Sequence, residues 1–188
     1  MALSLGTNCG FVTEAPEADP DGSAAATSGR SRVLKDTSPA TAIKVTEIGW
    51  WADNATQEAN FEVAIYNADG VVVPGEAGTM VDSDTTNAKG TDAGWKRCTG
   101  LNISIESSTD YWIAIQCDFT VTSTNIDYSS SGGSGYDYKS EGTLNDPYGG
   151  GALADADGML AIYAVWEAAA GGNAGIMTTN TGYWGPAF

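Results

Sequence analysis

The stretch Asp110-Tyr-Trp-Ile-Ala-Ile-Gln-Cys-Asp118 decides the fold of this chain. It contains neither Gly nor Pro and is dense in aromatic and β-branched residues, which fit a pleated, half-buried surface. In a strand of period two, one face carries Tyr, Ile, Ile and Cys, and the other carries Trp, Ala and Gln. Because both faces are largely apolar, the stretch predicts a central strand that is covered on both sides.

Alternating apolar residues predict further strands on either side of this stretch. The strongest is Ala42–Asp53, where a shift of the apolar phase at Gly49 predicts a bulge. Asn60–Tyr66 predicts a half-buried strand whose large apolar side chains face inward. Met159–Glu167 is apolar on both faces and predicts the last strand of the domain.

Two polar stretches predict loops, namely residues 13–29 and the Ser-, Gly- and Tyr-rich residues 130–151. A Gly-rich chain with short apolar runs is typical of all-β proteins. We therefore predict an all-β fold, an antiparallel β-sandwich of jelly-roll type with extended N- and C-terminal arms. Its parts are residues 1–39, an N-terminal arm with a strand and a loop; residues 40–167, the sandwich domain; and residues 168–188, an uncharged C-terminal arm.

The charge of the chain limits its partners. It carries 24 acidic and 8 basic residues, which gives a formal net charge of -16. Such a field repels nucleic-acid phosphates and anionic membranes, so neither is a predicted partner. The N-terminus lacks the basic and apolar regions of a secretion signal. We expect the protein to be made and assembled in the cytoplasm, unless a leader has been removed.

The absence of His excludes most catalytic designs. It rules out His general bases, Ser-His-Asp and Cys-His nucleophiles, and zinc sites that contain His. Paired carboxylates can hydrolyse a glycosidic bond, but the spacing of the acidic residues singles out no pair. We therefore predict that the protein is not an enzyme and needs no cofactor.

The cysteines and one acidic turn leave alternatives open. Cys9, Cys98 and Cys117 lack metal-binding spacing. A Cys98–Cys117 disulfide requires neighbouring strands, and the favoured interpretation is that all three are small buried hydrophobic residues. Asp155 and Asp157, followed by Gly, offer oxygen ligands to Ca²⁺ but lack the downstream Glu of an EF-hand loop. Solvated carboxylates are the favoured interpretation, with structural Ca²⁺ as the alternative.

The order of the predicted elements resembles a β-sandwich, carbohydrate-binding-like module found in phage virion and decoration proteins and in secreted adhesion proteins. Its pieces include an Ile- and Val-rich strand that ends in aromatics, here Ile43–Trp51, and a Phe-x-Val-Ala-Ile-Tyr strand with an Asp-Gly turn, here Phe61–Gly70. A Gly-Trp strand leading to Leu-x-Ile-x-Ile follows at Gly94–Ile105, before Tyr-Trp-Ile-Ala-Ile-Gln at Tyr111–Gln116. The resemblance covers residues 40–167 and carries over no catalytic residue.

The resemblance implies display, adhesion or capsid decoration. We hypothesise a structural decoration protein of a phage-like particle, located in the virion, that assembles through its terminal arms. Its partner is another copy, giving a homo-oligomer, or a capsid or tail protein. The C-terminal arm has no charge and ends in aromatics, whose burial in a partner offsets the entropy lost on ordering. The residues predicted to bind the partner are Leu3, Leu5, Tyr183, Trp184 and Phe188.

The alternative is a carbohydrate-binding adhesion module, extracellular or at the cell surface, that binds a surface glycan. Aromatic rings stack on the apolar faces of sugars. The polar, Gly-rich loop 130–151 cannot bury its tyrosines locally, so the predicted sugar-binding residues are Tyr136, Tyr138 and Tyr148. The tryptophans, among them Trp51 and Trp95, could also build such a platform, although filling the core is the favoured interpretation for them.

Overall fold

The computed structural model describes residues 9–10, 22–26, 30–53, 61–71, 73–86, 90–117, 124–129, 136–140, 143–148, 154–156 and 159–169. Within these ranges all regular structure is β-strand and no helix occurs, as the sequence predicts. The strands are β1 (Cys9–Gly10), β2 (Gly22–Ala26), β3 (Arg30–Thr37), β4 (Ala42–Ala52), β5 (Phe61–Asn67), β6 (Met80–Thr86), β7 (Gly94–Ser104), β8 (Asp110–Cys117), β9 (Thr124–Ser129), β10 (Tyr136–Ser140), β11 (Ala154–Ala156), β12 (Met159–Leu160) and β13 (Ile162–Ala168).

The strands form two sheets, and all their pairings are antiparallel. In the part of the chain that the structure describes, sheet A has seven strands in the order β1-β13-β4-β9-β12, with β7 paired to β4 and β2 paired to β9. Over the same ranges, sheet B has six strands in the order β11-β10-β3-β8-β5-β6. The chain crosses between the sheets at each step from β3 to β5 and again from β6 to β8. Short turns alone therefore do not determine which strands are neighbours.

The prediction for the central strand is confirmed. Strand β8 lies between β3 and β5 in sheet B. Tyr111, Ile113 and Ile115 point to one hydrophobic cluster, while Trp112 and Ala114 point to a second cluster on the opposite face. All five are at most 7% exposed, so the strand is covered on both sides.

The first hydrophobic cluster joins the two sheets. It contains side chains from β4, β7 and β13 of sheet A and from β3, β5 and β8 of sheet B. Trp50 of sheet A packs on Phe61 of sheet B with ring centroids 4.9 Å apart and a tilt of 51°. Each fully buried aliphatic or aromatic side chain contributes about 1.5–3 kcal/mol. This shared cluster is therefore a main source of stability for the domain.

The second cluster covers the outer face of sheet B. The strand predicted at Asn60–Tyr66 is β5, but the expectation that it is half-buried is wrong. Val63 lies in the first cluster, and Ala64 and Tyr66 lie in the second. Residues 73–79 and 143–148 lie over this face: the indole N–H of Trp112 donates to the carbonyl oxygen of Gly75 at 3.1 Å.

Two stretches that were predicted as loops contain strands. Residues 13–29 include β2, which pairs with β9 over its whole length. Residues 130–151 include β10, which lies between β3 and β11. The loop predictions are wrong at these positions because pairing with a neighbouring strand outweighs weak intrinsic β-propensity. The predicted strand Met159–Glu167 is divided into β12, which pairs with β9, and β13, which pairs with β4.

The bulge predicted at Gly49 lies elsewhere on β4. The register shifts between Val45 and Glu47, both against β7 and, at the matching position, against β13. On the β7 side, Gly100 adopts φ 81°, a left-handed conformation that suits Gly. Gly49 has another role: a Cβ there would lie 2.2 Å from Cζ of Tyr163, so the glycine gives the tyrosine ring room to pack on the strand.

The β6 edge of sheet B is protected by its own aspartates. The backbone N–H groups of Ser83 and Thr85 donate to the side chains of Asp82 and Asp84, at 2.9 and 2.7 Å. Amides two residues apart point to the same side of a strand. The amide of Asn67 in β5 donates to the carbonyl oxygen of Thr79, just before β6. Counting residues along the β5–β6 ladder from this bond shows that the amides of Ser83 and Thr85 point away from β5. Donors that a further strand would need are therefore occupied.

Cys98 is buried, 4% exposed. It lies on β7 of sheet A, whereas Cys117 ends β8 of sheet B. This agrees with the interpretation of Cys98 as a small buried hydrophobic residue. Among the described residues, no helix is long and apolar enough to cross a bilayer.

Candidate functional site

The outer face of sheet A brings two tryptophans together. Trp51 of β4 lies directly opposite Trp95 of β7 in the ladder. Their ring centroids are 5.6 Å apart and their planes are perpendicular, the edge-to-face arrangement that aromatic pairs favour. Neither belongs to a core cluster, and both are partly exposed. For this pair, the core-filling interpretation is wrong.

Tyr163 lies beside this pair but is fully buried, 0% exposed, so it supports the two indoles and is not itself exposed. Its ring lies 5.3 Å from that of Trp95, tilted by 64°, and packs over Gly49. In the β13–β4 ladder Tyr163 lies opposite Gly49, which in turn lies opposite Arg97 of β7. The residues Glu47, Trp51, Trp95, Arg97 and Tyr163 are named the indole face from here on.

A carboxylate and a guanidinium complete the indole face. The hydroxyl of Tyr163 donates to Oε1 of Glu47 at 2.7 Å. Nε of Arg97 lies 3.7 Å from the same oxygen. The Glu47 side chain is 17% exposed and that of Arg97 is 43% exposed. The tyrosine therefore orients the carboxylate, and the carboxylate orients a cation that stays open to solvent.

The two indoles offer ring surface and not N–H donors. Nε1 of Trp51 and Nε1 of Trp95 are both enclosed, and neither finds a hydrogen-bond partner within the described part of the chain. The charged groups next to the indoles that can supply polar recognition are Glu47 and Arg97. Hydrophobic ring surface beside a carboxylate and a guanidinium is suited to a sugar, which has apolar C–H patches and polar hydroxyl groups.

A concave feature lies apart from the indole face, where β5 and β7 end and β8 begins. This open cleft has a volume of about 430 Å³. Tyr111, which lines it, is only 4% exposed, so the cleft presents no open aromatic ring face. It is therefore a weaker candidate for sugar binding than the indole face. Its lining residues are Val81, Ile105 and Tyr111 on the apolar side, and Asn67, Ser104, Glu106 and Thr109 on the polar side.

Charged groups with shifted pKa values lie at the end of β3. The hydroxyl of Thr37 donates to Asp110 at 2.6 Å, and Nζ of Lys35 lies 3.1 Å from the same carboxylate. The Thr37 hydrogen bond and then Lys35 hold the pKa of Asp110 below its ordinary value. Burial raises the pKa of Asp36, against the lowering effect of the Thr37 amide and with a smaller contribution from the charge of Asp110.

The three predicted sugar-binding tyrosines do not form one exposed loop. Tyr148 is 2% exposed and packs edge-on against Tyr66, with centroids 5.0 Å apart. Its hydroxyl and that of Ser31 share a 2.5 Å hydrogen bond. Tyr148 thus fills the second core cluster, and its ring face is not available to a ligand. Tyr136 and Tyr138 lie on β10, and their side chains are outside the described residues.

The other predicted sites fall mostly outside the described ranges. Asp155 lies on β11, with its side chain not described, and Asp157 is outside. Within the described ranges, no three acidic or cysteine side chains converge in a way that could hold a metal ion. The predicted partner-binding residues Leu3, Leu5, Tyr183, Trp184 and Phe188 also lie outside, so the arms remain a prediction.

Sequence reasoning missed Arg97 and Tyr163 as members of a site. Each sits in an ordinary strand pattern, and neither forms a local motif with Trp51. The signal that brings them together is the register of three strands across Gly49. A glycine flanked by Ile and Trp in a strand does indicate a close approach by another group, but it does not say which group.

Comparison with known proteins gives a similarity of fold and no family. No protein-family model and no curated protein matches this chain. A crystal structure of the cysteine protease and lectin-like domains of Cwp84, a surface layer associated protein of Clostridium difficile, is similar, with a TM-score of 0.51 and 12% identity. The likeness covers 75% of this chain and 33% of that one, so this chain spans about a third of the structure that it matches. At this identity the likeness shows the fold alone.

Proposed function

We propose that this protein is a carbohydrate-binding module that acts outside the cell or at a cell surface, without catalysing a reaction. The observation that carries the proposal is the partly exposed Trp51–Trp95 pair, whose centroids are 5.6 Å apart, on the outer face of sheet A. A tryptophan pair left outside both core clusters exposes apolar surface that a sugar ring can cover.

The polar neighbours of the pair support the same function. A saccharide bound on ring surface also needs hydrogen-bond partners for its hydroxyl groups, since unpaired polar groups are costly to bury. Glu47 can accept hydrogen bonds and Arg97 can donate them. The Tyr163 hydroxyl orients Glu47, and Glu47 orients Arg97, before any ligand binds. This preorganisation lowers the entropy lost on binding.

The fold supports the proposal at a coarser level. We propose that the two sheets form a jelly-roll sandwich, because one hydrophobic cluster is shared between them. The similar structure includes a lectin-like domain of a surface layer associated protein, which favours a module that faces the outside of a cell. Neither the described residues nor the comparisons favour the particle-decoration hypothesis, so the carbohydrate-binding alternative is the one adopted.

A glycan array probed with the full chain tests the proposal. We expect binding to a defined set of glycans, and a loss of at least about tenfold in affinity for Trp51→Ala and for Trp95→Ala, since aromatic contacts contribute about 0.5–1.5 kcal/mol each beyond the area they bury. Val71→Ala is the control, because Val71 is 90% exposed on the loop that follows β5 of sheet B. Equal binding by all four proteins, or no glycan bound by the wild type, would contradict the proposal.

A further inference from the structure

Arg97 is a cation placed beside aromatic surface in a strongly acidic protein. The chain has a net charge of -16 and only 8 basic residues. Arg97 and Trp95 are two residues apart on β7, so they lie on the same face of the strand, roughly 6.6 Å apart along it. That spacing is comparable to the width of a pyranose ring with its substituent.

The guanidinium of Arg97 is only partly used. Nε is the atom that faces Glu47, at 3.7 Å. Within the described part of the chain, no contact engages the two terminal Nη groups of this side chain, which is 43% exposed. Arginine binds carboxylates best through two parallel N–H donors. Glu47 therefore orients the Nε side of the guanidinium, and the Nη groups remain available for a second carboxylate.

The charge of Glu47 does not prevent such a contact. Oε1 of Glu47 accepts a hydrogen bond from the Tyr163 hydroxyl at 2.7 Å. This hydrogen bond partly compensates the negative charge of the carboxylate. The Glu47 carboxylate approaches Nε at 3.7 Å, and the Arg97 side chain stays 43% exposed. The net charge of the whole chain still disfavours a long polyanion. A single carboxylated sugar, in which one group bears the charge and the ring remains apolar, fits this face better.

We propose that the indole face selects carboxylated sugars, with the pyranose ring against Trp51 and Trp95 and the sugar carboxylate on the Nη groups of Arg97. This inference rests on the proposed carbohydrate-binding function and names the class of ligand. Arg97 is then the residue that determines specificity, while Glu47 and Tyr163 act as positioning residues through the guanidinium.

The test compares each acidic glycan with its carboxyl-reduced counterpart, which has the same ring and lacks the charge. Both forms are printed on one array, and the strongest pair is titrated calorimetrically against the full chain. We expect the wild type to prefer the acidic form by about tenfold or more, as for a charge-assisted bidentate contact. Arg97→Gln should weaken the acidic form much more than the reduced form, and so bring the ratio to about one. Arg97→Lys should retain part of the preference, because a lysine keeps the charge and loses the fork.

Thr99→Ala is the matched control, since Thr99 is exposed on the same strand and lies opposite Glu47. It should leave the ratio unchanged. Equal binding of both forms by the wild type, or a preference that survives in Arg97→Gln, would overturn the selectivity while carbohydrate binding stood. Binding of no glycan at all, acidic, reduced or neutral, would overturn both proposals together.

Discussion

Ser38 and Thr109 bind each other at two points. The Ser38 amide donates to the carbonyl oxygen of Thr109 at 2.9 Å, and the Thr109 amide donates to the Ser38 hydroxyl at 3.0 Å. The Ser38 hydroxyl in turn donates to the carbonyl oxygen of Glu106 at 2.6 Å. Ser38 is 3% exposed, so one buried hydroxyl fixes the turn between β7 and β8 onto the turn between β3 and β4.

Replacing this hydroxyl should destabilise the domain. Ser38→Ala leaves the Thr109 amide and the Glu106 carbonyl without their partner, and each unsatisfied buried group costs about 1–3 kcal/mol. We expect the free energy of unfolding in urea to fall by about 2 kcal/mol in total, because water reaches part of the turn. Ser83→Ala, at an exposed position of β6, should change it by less than about 0.5 kcal/mol. Equal stability of the two variants would contradict the role of Ser38.

Gly49→Ala should disturb the indole face by displacing Tyr163. A Cβ at this position would lie 2.2 Å from Cζ of the tyrosine, so the ring has to move. Overpacking of this kind costs about 1–3 kcal/mol, and we expect thermal unfolding at a lower temperature together with weaker glycan binding. The Tyr163→Ala background provides the control, because the clash is absent there. If Gly49→Ala costs as much in that background, the two residues are not coupled.

Asp36 should make the protein less stable as the pH rises. Burial is the largest cause of the shift and raises the folded-state pKa of Asp36 above its ordinary value of 3.8, so the folded state holds a proton that the unfolded state has lost. Stability is therefore complete below pH 3.8 and falls as the pH passes through the raised pKa. Asp36→Asn should flatten this part of the stability profile and raise the melting temperature at neutral pH.

Asp110 should change stability with pH in the opposite direction to Asp36, so it serves as the comparison. Its pKa is lowered by the Thr37 hydrogen bond and by Lys35, so its stabilising effect is present above pH 3.8 and is lost as the pH falls through the lowered pKa. Because this carboxylate is well exposed, solvent screens the effect and it should be small. Asp110→Asn should lower the melting temperature slightly at neutral pH. A rise of similar size in both variants would show that net charge alone is responsible.

The C-terminal arm can be tested by truncation. Strand β13 ends at Ala168, and the Ala169 amide donates to the carbonyl oxygen of Thr41 at 3.0 Å, so a chain that ends at Ala169 keeps every described contact of β13. We expect this truncated protein to retain its far-ultraviolet spectrum and to form smaller species by light scattering than the full chain. If the full chain and the truncated chain have the same oligomeric state, the arm hypothesis fails.

The fold could be predicted where side chains alternate and pack on themselves. The double-sided pattern of β8 and the inward residues of β5 follow from local sequence because burial imposes period two. Strand β2, with the sequence Gly-Ser-Ala-Ala-Ala, could not be predicted. It has little β-propensity of its own and exists through its ladder with β9, about 100 residues away along the chain.

The site was predictable only in its residue types. The sequence allows Trp51 and Trp95 as sugar-binding residues but favours core filling for them, and their pairing depends on the register between β4 and β7. A slip of one residue between the two strands would place the two indoles on opposite faces of the sheet. That register is set on the inner face, where Ile48 and Cys98 are partners within the core. The geometry of the outer face is thus a consequence of packing on the inner face, which local sequence does not encode.

The aspartates of β6 affect how the protein behaves at high local concentration. A molecule displayed in many copies meets its neighbours at high local concentration, where unpaired strand edges nucleate cross-β aggregates. With Asp82 and Asp84 folded onto the amides of Ser83 and Thr85, this edge has fewer free donors and carries repulsive charge towards any identical edge. Dense arrays of this protein should therefore remain separate molecules along β6, and crowding should not convert them into fibrils from that side.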